Sequence, residues 1–90
     1  PSHNVPFTGL NVRLDQYISH HMDRLKVVLE ACIEPLSGME ISRFLFPQDL
    51  DLHGKFFSIG ETMAHIKYLE YEGKLSCSSD ADGIERYLKA

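Results

Sequence analysis

The sequence predicts a mainly α domain of three helices closed by a small β-hairpin. Three observations lead there. Apolar residues recur at steps of three and four over one long stretch and two shorter ones. Ser37-Gly38-Met39-Glu40 has the S-x-x-E spacing of a capping box. After Gly73 the pattern changes to two short runs around the polar cluster Ser79-Asp80-Ala81-Asp82-Gly83.

The first helix is expected from about Asn11 to Ile33. Leu14, Tyr17, Ile18, Met22, Leu25, Val28, Leu29 and Cys32 form its apolar stripe, and Thr8 or Asn11 is placed to cap it. Arg13, Asp15, Asp23, Arg24, Lys26 and Glu30 mostly fill the other side, and Pro35 prevents continuation. In the second helix Ile41, Leu45 and Phe44 face inward, with Leu36 and Ile41 spaced as a hydrophobic staple and Pro47 as the stop after Phe46. Gln48 to Gly54 reads as a polar, acidic loop.

The third helix starts near Lys55, with Phe56, Ile59, Met63, Ile66 and Leu69 inward, and ends at Gly73 as a left-handed cap. Gly60 inside it implies close packing or a break. Lys74-Leu75-Ser76-Cys77-Ser78 and Ile84-Glu85-Arg86-Tyr87-Leu88 then pair as the hairpin, giving a winged-helix-like three-helix domain.

Ninety residues with 43% hydrophobic content suffice for one small core. No apolar run approaches a membrane span and nothing at the start has the form of a secretory signal, so no membrane partner and a cytoplasmic location are expected. Cys32 and Cys77 lack C-x-x-C spacing and are expected to be unpaired. Thirteen acids against nine bases give a net charge of −4 with no basic cluster, so nucleic acid is not an expected partner.

Pro1-Ser2-His3-Asn4 stands ahead of the long helix with no methionine before it, and the chain reads as the C-terminal piece of something larger. P-S-H-N resembles the P-G-H-G loop that carries the last metal-binding histidine of metallo-β-lactamase-fold hydrolases. Tyr17-Ile18-Ser19-His20-His21 and Leu69-Glu70-Tyr71-Glu72-Gly73-Lys74 resemble the winged-helix-like domain at the C-terminus of some of them, among them glyoxalase-II-like hydrolases and an RNA-cleaving member. The glycines flanking the family's histidine are Ser2 and Asn4 here. The resemblance implies that residues 1–8 end an upstream catalytic domain and that residues 9–90 form an accessory domain, packing on it and shaping its substrate cleft. It also implies zinc, two ions, in the parent enzyme. His3 is the metal ligand it assigns to this chain, and only in the parent's context, because zinc chemistry needs several fixed ligands.

The other histidines have structural readings. His20 and His21 are adjacent on a helix and point to different faces; His21 is expected to be hydrogen-bonded and partly buried. Glu61 and His65 read as a surface pair, and His53 as a solvated loop residue. No nucleophile–base–orienter set, G-x-S-x-G or phosphate loop occurs, so no catalytic residue and no cofactor are assigned within this chain. The alternative functions are a winged-helix DNA-binding domain, opposed by the acidic residues of the third helix and hairpin, and a dimerisation module, for which Phe56, Phe57, Tyr68 and Tyr71 supply aromatic surface in a homodimer. For the packing on the catalytic domain, the expected contact side lies near Arg13, Gln16, His20 and Asp23.

Overall fold

The computed structural model describes residues 4–90, with side chains from residue 18 onward. In chain order they form α1 (Asn4–Ala31), β1 (Leu36–Ser37), α2 (Gly38–Leu45), α3 (Leu52–Tyr71), β2 (Leu75–Ser79) and β3 (Glu85–Lys89). The architecture is mainly helical with a small antiparallel sheet, as the sequence predicts. The expected stripe residues Leu14 and Tyr17 and the P-S-H loop with His3 lie outside the described side chains.

The link from α1 into α2 does two jobs with few residues. Ser37 Oγ accepts from the Glu40 amide at 3.2 Å, and Glu40 Oε1 accepts from the Ser37 amide at 2.9 Å, so the predicted capping box closes. The same Leu36–Ser37 pair is a strand: Leu36 lies opposite Tyr87 and Ser37 opposite Arg86, which makes the sheet three-stranded in the order β1-β3-β2. Sequence reasoning foresaw the hairpin and not this strand, because two residues carry no alternation to read. A Cβ on Gly38 would come 2.9 Å from Met63 Sδ, so the start of α2 lies close against α3.

α3 begins three residues before its expected start. Asp51 Oδ1 accepts from the Gly54 amide at 2.8 Å as a side-chain cap, so Leu52, His53 and Gly54 belong to the helix rather than to an acidic loop. Gly60 neither breaks the helix nor packs closely, since its missing Cβ would meet nothing within 4 Å. Beyond Tyr71 the chain turns as foreseen at Gly73, φ +75°. Lys74 N–H donates to Leu69 O at 2.8 Å and Gly73 N–H to Glu70 O at 2.9 Å, the two bonds of a Schellman stop.

β2 and β3 pair from Leu75 opposite Lys89 to Ser79 opposite Glu85. Their turn is held by Asp80 Oδ1, which accepts from the amides of Asp82 at 2.8 Å and Ile84 at 3.0 Å, with Gly83 at φ +82°.

Val28, Cys32, Ile41, Ile66, Leu69, Leu75 and Tyr87 form the core, with Leu25, Leu29, Leu36, Leu45 and Met63 packed against it. Each element thus contributes to one centre. Several residues expected inside are outside. Ile18, Met22, Phe44 and Phe56 are exposed, while Ser58, Thr62 and His65 are buried in α3. Ser58 Oγ donates to Lys55 O at 2.9 Å and Thr62 Oγ1 to Ser58 O at 2.7 Å, so the buried hydroxyls are satisfied by the helix's own backbone. This lets polar residues occupy core-facing positions that a search for apolar periodicity passes over.

Candidate functional site

α1 and α3 cross so that Arg24 meets Glu61, His21 meets His65, and Ile18 and Met22 stand beside Ala64 and Tyr68. Between them lies an open, mostly apolar groove of about 420 Å³. Arg24 Nη1 donates to Glu61 Oε1 at 3.0 Å, and its guanidinium stands 5.5 Å from the centre of the Phe46 ring. The two helices that form the groove are therefore tied by a cross-helix ion pair.

His65 corrects the expectation of a surface pair with Glu61. Its ring is 3% exposed and bonds the Glu61 backbone, not the carboxylate: Nδ1 lies 2.6 Å from Glu61 O and must donate to it. Nε2 of His65 is buried without a hydrogen-bond partner among the described residues. His21, half-buried as expected, stacks on this ring with centroids 4.8 Å apart and planes 18° from parallel. His20 is exposed on the other side, and His53 is exposed in the first turn of α3 rather than in a loop.

Stacked rings hold their nitrogen edges side by side instead of aiming two lone pairs at one point, which is poor geometry for a shared metal ion. Among the described residues no group of three or more His, Cys, Asp or Glu side chains could hold a metal. The described residues do not by themselves fit a zinc centre. His3, the one ligand assigned by resemblance, lies outside the described residues.

The thiols are not poised as nucleophiles. Cys32 is buried and Cys77 exposed, and neither forms a disulfide. Burial pushes the Cys32 thiol up, and desolvation followed by the Glu85 carboxylate does the same to Cys77, whose Sγ lies 3.6 Å from Glu85 Oε2. Burial also raises the hydroxyl pKa of Tyr87. None of these groups resembles an activated base or nucleophile.

Two cations that a nucleic-acid face could use are engaged within the chain. Arg86 Nε donates to Asp80 Oδ2 and its Nη1 to Glu40 Oε1, both at 2.8 Å, tying the hairpin turn to the first turn of α2. Lys67 Nζ pairs with Glu70 Oε1 at 3.1 Å and stands 5.9 Å from the Tyr87 ring centre. The acid-rich composition showed the balance of charge, but these cross-element pairings depend on the fold. No helix among the described residues is long and apolar enough to cross a membrane.

Residues 25–90 match the family model described as the metallo-beta-lactamase-like, C-terminal domain. The chain belongs to this family. It is similar to a beta-lactamase domain protein from Burkholderia ambifaria, known from its crystal structure, at 36% sequence identity and a TM-score of 0.82. The similarity covers 88% of this chain and 24% of that one, so the chain spans about a quarter of that protein's length. No curated protein matches it significantly. The resemblance drawn from the P-S-H-N, Y-I-S-H-H and L-E-Y-E-G-K segments therefore reached the right family.

Proposed function

We propose that this chain is the C-terminal accessory domain of a metallo-β-lactamase-fold, metal-dependent hydrolase, packing on the catalytic domain and shaping one side of its substrate cleft without being catalytic itself. The observation that carries this reading is the family match at residues 25–90, joined to a solved relative about four times as long. The described residues offer a face instead of a reaction centre: no metal-holding group, raised thiol pKa values and an apolar groove. In this proposal residues 1–8 close the catalytic domain, His3 completes its zinc site and the protein works in the cytoplasm. The chemistry zinc would supply, polarising a carbonyl or activating water, belongs to that other domain.

Nucleic acid is not a partner in this reading, since Arg86 and Lys67 are ion-paired within the chain and the net charge is −4. Metal content and hydrolysis test the proposal. The full-length protein is expected to retain zinc through dialysis and to cleave a thioester or β-lactam, and this chain alone to do neither. Stoichiometric zinc held by the isolated chain, and lost on His3→Ala, would overturn the division of labour.

A further inference from the structure

α1 is 28 residues long, about 42 Å at 1.5 Å per residue, yet among its described side chains the first that packs on the core is Leu25. Upstream of Leu25 its described apolar side chains are bare. Ile18 is 56% exposed and Met22 62%, and across the groove Tyr68 is 50% exposed. A helical extension gains stability mainly from packing an apolar face, so described apolar side chains left more than half exposed call for another body.

Two facts identify that body. The groove straddles the boundary of the family match: Leu25, His65 and Tyr68 lie within residues 25–90, while Ile18, His21 and Met22 precede it on the same helix. The similar solved protein carries about three-quarters of its chain outside the matched part, and in a C-terminal domain that further chain is reached through α1. Among the described residues no Lys, Arg, Asp or Glu lines the groove, so the surface offered is apolar and carries no formal charge of its own apart from its two histidines.

We infer that the α1–α3 groove is the seat of the preceding domain of the same chain, which lays an apolar segment across Ile18, Met22 and Tyr68. This rests on the reading of the chain as an accessory domain and adds which face is covered. The contact centres on the apolar side of α1 rather than on the polar side near His20 and Asp23, both of which are exposed.

Hydroxyl-radical footprinting of the full-length protein tests it, because the molecule contains its own control. Met39, 54% exposed on α2 and away from the groove, should oxidise about as fast as Met22 if neither is covered. Under the proposal Met22 oxidises about tenfold more slowly than Met39, as expected for a side chain in a desolvated interface, and Tyr68 falls further behind Tyr71 than their exposures of 50% and 88% alone would give. Ile18→Asp, a change at an exposed site, should bring Met22 back toward the Met39 rate while Met39 itself stays unchanged, which reports that the variant is folded. Equal rates for Met22 and Met39 in the unmodified protein would overturn the proposal. So would protection of Met22 that disappears on dilution, because a second copy would then be the cover, or protection that survives Ile18→Asp. Zinc content and hydrolysis of the same sample report on the accessory-domain reading separately, since a protein without metal or activity could still protect Met22.

Discussion

Two stretches of one helix carry the same apolar pattern and meet opposite fates. Val28 and Cys32 of α1 are fully buried among Ile41, Ile66, Leu69, Leu75 and Tyr87, whereas Ile18 and Met22, about two to four turns earlier on the continuous apolar stripe, are exposed. The difference is what lies opposite. Beside the later turns stand α2, α3 and the sheet; beside the earlier ones stands α3 with Ala64 and Tyr68, across an open groove. Periodicity states that a face is to be covered and leaves open whether the same domain covers it.

The sharpest way to break that comparison is to truncate one residue from each region. Ile66→Ala should cost about 3 kcal/mol, because it opens a cavity at a fully buried site. That is a fall of about 15 °C in Tm for a domain of this size. Ile18→Ala should change the stability of this domain by less than about 0.5 kcal/mol. Thermal unfolding followed by circular dichroism measures both. Similar losses for the two variants would mean that Ile18 belongs to this domain's own core.

What could be read in the sequence follows the same line. Signals contained within a few residues were legible: the Ser37–Glu40 box, the Gly73 stop and the Asp80–Gly83 turn all form as written. Signals needing a partner far along the chain were not. β1 exists because Leu36 and Ser37 meet Tyr87 and Arg86, and His65 is buried because His21 covers it. Phe44 and Phe56 fit an inward stripe by spacing alone, yet they are 57% and 67% exposed. The family could be recognised because its short segments stand in the expected order, while the one metal ligand the resemblance assigns to this chain, His3, lies outside the described residues.

Local signals should also respond locally. Ser37→Ala removes the acceptor for the Glu40 amide and should cost about 1 kcal/mol, the usual worth of a side-chain N-cap. Gly73→Ala should cost a similar amount, about 1 kcal/mol, because φ +75° is unfavourable for any residue with a Cβ. Gly60→Ala runs the other way. Its φ is not left-handed and its Cβ position is open, so alanine should stabilise α3 by about 0.5–1 kcal/mol in urea unfolding. A loss at that position in the isolated chain would place a second surface against α3 in solution.

The smallest expected effect concerns the hairpin, where Arg86 adds an electrostatic link to α2 beside the apolar one that Leu75 and Tyr87 make in the core. Hydrogen bonding to Arg86, then to the Ile84 amide, holds the Asp80 carboxyl below its ordinary pKa. The Ser37 amide, followed by Arg86, does the same for Glu40, and both acids in turn raise the Arg86 pKa. A carboxyl whose pKa is lower folded than unfolded binds more protons when unfolded. Its stabilisation is therefore complete above the ordinary carboxylate pKa and is lost as pH falls through the depressed value. Tm should accordingly be flat near neutral pH and fall as the solution is acidified through the carboxylate range, about pH 5 to 3. Arg86→Gln should lower Tm slightly at neutral pH and flatten the acid slope, since Asp80 and Glu40 lose their shared cation; because all three groups lie at the surface, the change should be well below that of Ile66→Ala. An acid slope unchanged by Arg86→Gln would show that backbone amides alone hold these carboxylates, and the hairpin would then be anchored by Tyr87 and Leu75 in the core, without help from its charges.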